Sequence, residues 1–417
     1  DNLDIESQIE ISKLMRFRQK EFQRPVERFM KRYYIAAKNI GSLTRIFFSV
    51  IEDKFKKSIR FNFFFRKSIN LETPFTFKSK KILIEKKVFI LNKPEIIIKI
   101  FHISHFKNLE IHPETLRLLS DCSKLIRKKQ VNSKRSNKLF LEIISSKINP
   151  RPILRLMNDT NVLGSFIPDF KKIIGLIQHD MYHHYTVDEH TFFAISNAHE
   201  LKNIDTNPGT ELANKLILEV DRFDLLTVSL FLHDIAKGLN GDHSLNGSKI
   251  AKNLCPRLGL NNEETEIVSW CVLNHLFLSE TAFRYDLNDK KIIENSIKKI
   301  NTIEKLNLLF VLTVCDIKAV GPGIWTNWKG SLLNELYKKI RMKISVEEEK
   351  IIPLKKEKKS DHLFDQIRNL NIFKIDEAQN YIVNFPENYW QMYDLKQMID
   401  QARLFKKMLV SNLKFIF

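Results

Sequence analysis

The chain has 417 residues, 43% hydrophobic and 28% charged, with 68 Lys+Arg against 49 Asp+Glu and a formal net charge of +19. That mixture supplies enough apolar material for packed cores, which excludes a disordered or collagen-like chain, and the length fits two or three domains. No apolar run reaches the roughly 18 residues that a membrane-spanning helix needs.

Residues 1–58 read as helices. Val26, Phe29, Met30, Tyr33, Ile35 and Ala36 recur at helical spacing, and Pro25 suits a first turn. The opening DNLDIESQIE puts acids where a secretory leader would be basic and apolar, so no signal peptide is expected; without an initial Met, the sequence is expected to be a piece of a longer chain. From 60 to 101 the short runs FNFFF, FTF, ILI, VFIL and EIIIKIF are rich in β-branched and aromatic residues, which predicts a small sheet inserted between helical parts. The helical period returns at His112-Pro113-Glu114, where proline fits a helix start. Helices separated by polar breaks follow from 150 to 335, then a charged stretch (344–361) expected to be a solvated linker, then a helical tail. The fold class expected is mainly α, in four segments: 1–58, 59–149, 150–340 and 341–417.

Cys122, Cys255, Cys271 and Cys315 lie far apart with no C-x-x-C pair, which argues against a thiolate zinc site or a disulfide framework and for reduced thiols of a cytoplasmic protein. The positive charge is spread along the chain rather than gathered in a stripe. It favours an anionic partner or substrate but does not read as a nucleic-acid footprint.

Eight of the twelve histidines fall between His179 and His275. His233-Asp234 closes the apolar helical run LLTVSLFLHDIAKG, a costly place for polar groups unless a cation satisfies them. Lys237 is four residues from His233 and is expected on the same helical face, where it would neutralise a phosphate oxygen. His190, His243, His275 and Asp316 each stand at or near the end of an apolar segment. Four imidazoles and two carboxylates suit one or two ions such as Mn²⁺, Mg²⁺, Fe²⁺ or Zn²⁺, with Asp234 able to bridge a pair. Taken singly, His275 reads more readily as a hydrogen-bonded core residue, and Asp316 as a cap or salt-bridge partner. The order H…HD-x-x-K…H…H…D is what singles them out.

That order resembles the HD superfamily of metal-dependent phosphohydrolases. The flanking segments QHDMYHHYTVDEHT, FLHDIAKGLNGDHSLNG, NHLFLSETAFRYDLND, LTVCDIKAVGPGIWTNWKGSLLNELY, LRLMNDTNVLGSFIPDF and VERFMKRYYIAAKNI look like the bacterial bifunctional PII uridylyltransferase/uridylyl-removing enzymes. The resemblance implies a helical HD domain at 150–340 that removes UMP from a tyrosine of the PII signal protein, with Mn²⁺ or Mg²⁺ at His190, His233, Asp234, His243, His275 and Asp316. Lys237 and Asp234 would be catalytic, and Arg284 a candidate phosphate or ribose contact or simply a surface ion pair.

The family's transferase motif, Gly-Ser followed by paired aspartates, does not follow Gly41-Ser42, Gly247-Ser248 or Gly330-Ser331. Neither a UMP-adding centre nor a glutamine sensor is therefore expected here, and the helices up to residue 58 should carry exposed apolar surface. Two other readings stay open: a different HD-type nucleotide phosphohydrolase, and a non-catalytic PII-binding module.

Overall fold

The computed structural model describes residues 3–20, 23–55, 74–78, 81–84, 90, 95–126, 133–177, 184–203, 208–370, 372–385, 389 and 393–410. It divides into two compact units, Asp1–Lys338 and Lys339–Phe417.

The first unit opens with helices α1 (Ile5–Leu14) and α2 (Pro25–Phe55). Asp4 caps α1 by accepting the Ser7 N–H at 2.8 Å, and proline begins α2, where no N–H is needed. Val26, Phe29 and Met30 form a small core with Leu3, Ile11 and Phe17. Farther along α2, Ile40, Leu43, Phe47 and Phe48 are exposed, as anticipated.

A three-stranded sheet follows, ordered β1 (Phe75–Lys78), β2 (Lys81–Ile84) and β3 (Glu110–Ile111). β1 and β2 are antiparallel with Phe75 opposite Ile84, whereas β3 joins β2 in parallel with Ile82 opposite Ile111. FTF and ILI are strands as expected, and FNFFF lies outside the described residues, as does all of VFIL but Ile90. EIIIKIF is not a strand: it forms helix α3 (Ile96–Lys107). Ile96, Ile97, Ile98, Ile100 and Phe101 are all buried, so the run is apolar on several faces and shows no period of 3.6. Its twelve residues exceed strand length, and Asn108 ends it in the left-handed region at φ +50.

Helix α4 (Pro113–Cys122) starts where the sequence indicated, with His112 Nδ1 accepting the Glu114 N–H at 3.3 Å. Next come α5 (Lys134–Ile144), α6 (Arg151–Asp159), α7 (Val162–Phe166) and α8 (Pro168–Lys171). The site is carried by the helices after them: α9 (Val187–Glu200), α10 (Glu211–Glu219), α11 (Phe223–Leu232), α12 (His243–Leu258), α13 (Asn262–Asn274), α14 (Phe277–Arg284), α15 (Lys290–Ile300) and α16 (Ile303–Val320). Here α9 packs on α11 and α16, and α13 on α11, α12 and α16. Helix α11 is buried from Leu225 to Leu232, which makes it the central element.

Helix α17 (Asn327–Asn369) includes the charged stretch expected to be a linker. Lys and Glu are strong helix formers, so a stretch rich in them forms helix as readily as loop. In the second unit, Leu363, Ile367, Ile372, Phe373, Ala378, Ile382, Met398 and Ala402 form a separate core with α18 (Ile375–Val383) and α19 (Leu395–Val410). Among the described residues no helix is long and apolar enough to cross a membrane.

Candidate metal centre

All six residues singled out in the sequence converge, and helix ends do the positioning. His190 lies in the first turn of α9 behind Thr186. His233 and Asp234 follow the last residue of α11. His243 opens α12, behind an Asp242 cap that accepts the Ser244 and Leu245 N–H groups at 2.8 and 3.0 Å. His275 ends α13, and Asp316 stands one turn before the end of α16.

Asp234 is the hub. Its Oδ2 lies 3.2 Å from His233 Nε2 and 3.5 Å from His190 Nε2. Its Oδ1 faces the other way, 3.7 Å from His275 Nε2 and 3.9 Å from His243 Nε2. Asp316 Oδ1 closes the first side, 2.9 Å from His190 Nε2 and 3.5 Å from His233 Nε2. The ligand atoms thus form two sets compatible with an ion each, His190/His233/Asp316 and Asp234/His243/His275.

Tautomers indicate what the site is built to hold. His233 Nδ1–H donates to the Leu230 carbonyl at 2.7 Å, and His275 Nδ1–H donates to the Val272 carbonyl at 2.7 Å. A carbonyl can only accept, so in the neutral rings both Nε2 atoms carry lone pairs. Those lone pairs face carboxylates. His243 Nε2 and His275 Nε2 are buried and have no hydrogen-bond partner among the described residues. Lone pairs aimed at a carboxylate repel unless a cation lies between them, and the orphaned nitrogens fit that cation.

The titration behaviour without metal agrees. Burial disfavours charge on His233, but the Asp234 and Asp316 carboxylates prevail and push its pKa up to about 10. Burial opposes ionisation of Asp234 and Asp316, yet His233 and neighbouring cations hold both carboxyls well below the usual range. Burial lowers His243, and lowers His275 to about 4. The least enclosed members are His243 at 27% and Asp316 at 15%, beside Lys237 at 11%, so the centre opens on that side.

Lys237 differs from expectation. Residues 233–238 form turns rather than more helix, so Lys237 does not share a helical face with His233. Its Nζ pairs with Asp234 Oδ2 at 2.7 Å, still at the edge of the centre. Arg284 is exposed and pairs with Glu280 at 3.9 Å, the surface ion pair that was one of its two readings. His179 and His183 lie outside the described residues; His184 is exposed and donates its backbone N–H to the Val320 carbonyl at 3.1 Å. All four cysteines are buried thiols outside any disulfide, and burial pushes Cys255 and Cys271 up to about 12, so those two are poor nucleophiles.

Sequence reading missed Asp188. It is buried, and it accepts from Asn158 Nδ2 at 2.8 Å and from the Gly175 N–H at 3.0 Å, locking the start of α9 two residues before His190. An acid in a first helical turn reads as an ordinary dipole partner, so nothing local marked it.

Comparison with known proteins agrees with this geometry. Residues 187–317, which contain all six residues, match the HD domain model; HD domains are metal-dependent. Residues 75–166 match the third domain of the uridylyltransferase GlnD, and 1–48 match the GlnD PII-uridylyltransferase model. A bifunctional uridylyltransferase/uridylyl-removing enzyme of Azospirillum brasilense is 39% identical over 343 residues, or 81% of this chain. One from Novosphingobium aromaticivorans is 38% identical over 338 residues, also 81%. The chain belongs to the uridylyltransferase/uridylyl-removing enzyme family. It spans 36% and 37% of the length of these two relatives. Within this family member the HD match begins three residues before His190 and ends one after Asp316, so the matched segment spans the candidate centre.

Proposed function

We propose that this centre hydrolyses a phosphodiester, releasing UMP from the uridylylated tyrosine of the PII signal protein, in the cytoplasm. The observation that carries the reading is Asp234, whose two oxygens face two separate histidine pairs in the manner of a bridging ligand. The names of the relatives, which include uridylyl removal, and the match to a PII-uridylyltransferase model support this choice of substrate.

His190, His233 and Asp316 would hold one ion, and His243 and His275 a second, with Asp234 between them; Mn²⁺ or Mg²⁺ is the metal proposed. When bound, such ions supply Lewis acidity and lower the pKa of a water. Lys237 lies at the open edge and, by shifting from Asp234 to a bound phosphate oxygen, stabilises charge that grows in the transition state. The leaving phenolate, with a free pKa of about 10, needs little protonation. Arg284, held by Glu280, is given no role.

The test uses the 417-residue chain with Mn²⁺ and uridylylated PII, measuring UMP release. Loss of a residue that merely supports a ligand costs about 10–100-fold, so Asp234→Ala should fall beyond about a hundredfold and take up less metal. Equal UMP release by parent and variant would refute the assignment. Release from free nucleotides but not from PII would favour another HD-type phosphohydrolase, and PII binding without metal uptake would favour a binding module.

A further inference from the structure

The turn at 172–175, between α8 and α9, touches three parts of the molecule at once. On one side is α2: Lys31 Nζ donates to the Lys172 carbonyl at 2.7 Å. The same carbonyl lies against the backbone of Gly238, where a Cβ would come within 2.8 Å of the oxygen. Gly238 follows Lys237, whose ammonium is bound to Asp234. At the far end of the turn Gly175 has a left-handed backbone (φ +64), and a Cβ there would lie 3.1 Å from Ile35 Cγ1 and 3.5 Å from the Lys31 carbonyl, both on α2. Its N–H is the one that Asp188 accepts, two residues before His190. The Val187 N–H donates to the Leu176 carbonyl at 2.8 Å, tying the end of the turn to the start of α9.

We infer that Lys31 is a positioning residue for the metal centre, acting through the 172–175 turn on both His190 and the Asp234–Lys237 pair. The inference rests on the metal centre proposed above and extends it. The two close glycine contacts leave no slack: a shift of α2 moves the Lys172 carbonyl or Gly175, and either displacement is passed on because packed backbone does not absorb it. Burial lowers the Lys31 pKa while the Asp188 carboxylate raises it, which places this cation in the field of the residue that anchors α9. Helix α2 thereby gains control over the centre, and the residues matched by the uridylyltransferase model (1–48) include the part of α2 that makes these contacts.

The experiment measures Mn²⁺ affinity by calorimetry on the full chain, without substrate. Lys31→Met should weaken Mn²⁺ about fivefold, less than the about 10–100-fold typical of a residue that supports a ligand directly, and Lys31→Arg should return within twofold of the parent. The metal-free melting temperature of Lys31→Met should stay within about 2 °C. Gly238→Ala presses on the same carbonyl from the other side, so the double variant should lose little beyond the worse single one. Unchanged affinity in Lys31→Met, or losses that multiply in the double variant, would overturn the inference. Should Lys31→Met fail to fold, Ile35→Ala, which loosens the contact at Gly175, carries the same reading. A parent that binds Mn²⁺ but hydrolyses nothing would sink the proposed reaction and leave this inference intact; a parent that binds no Mn²⁺ would sink both.

Discussion

His233 shows how one side chain sets the behaviour of the centre. The two carboxylates hold a proton on its ring up to a pKa of about 10, although burial opposes it. Coordination needs the neutral ring, so a metal ion must displace that proton. Calorimetry at pH 7.5 in buffers of different ionisation enthalpy should therefore show about one proton released per Mn²⁺ bound by this ring, and the apparent Kd should rise about tenfold for each pH unit of acidification. A pH-independent Kd would contradict the assignment of His233. His199 behaves in the opposite sense. Burial, helped by the Lys202 cation, lowers it to about 4. Its folded pKa lies below the unfolded value of about 6.5, so its contribution is full above pH 6.5 and is lost as pH falls through 4. After allowance for its partial exposure this is worth about 1–2 kcal/mol, and His199→Asn should flatten the urea-measured loss of stability over that range relative to the parent. Candidate ligands were legible in the sequence because residue types able to hold a metal are few and were clustered. The partner of Lys237 was not, since that depends on whether the chain continues as helix after Leu232, and tertiary packing decides it.

Elements were legible where period or capping spoke clearly and were misread where it did not. Pro25 and His112-Pro113 marked real helix starts. EIIIKIF reads locally as a strand because its β-branched residues favour one, and burial on several sides makes it helix instead. The site depends on how two elements approach each other: α12 presents His243 at its start, and α13 presents His275 at its end. Gly247 lets them close, since a Cβ there would lie 2.9 Å from Val272 Cγ1. Overpacking of this kind costs about 1–3 kcal/mol, so Gly247→Val should lower the urea midpoint accordingly. Because Val272 also accepts the His275 Nδ1–H, the variant should weaken Mn²⁺ binding as well. A variant that lost stability but kept the parent's metal affinity would show that α12 and α13 can move apart without moving their histidines.

At the scale of the whole chain, every proposed ligand lies in the first unit, while the second has its own core around Leu363, Ile367 and Phe373. That division was only partly readable: composition shifts near residue 344, but Lys- and Glu-rich sequence forms helix α17 as readily as a linker. Separate cores give each unit its own reason to unfold cooperatively. A ligand stabilises only what binds it, by RT ln(1 + [L]/Kd), or about 2.7 kcal/mol at a hundredfold excess over Kd. Scanning calorimetry should therefore resolve two transitions, and saturating Mn²⁺ should raise the one belonging to Asp1–Lys338 and leave the other in place. A single transition that moves as one with Mn²⁺ would mean that the two cores unfold together, and that metal at the histidine centre stabilises the entire chain.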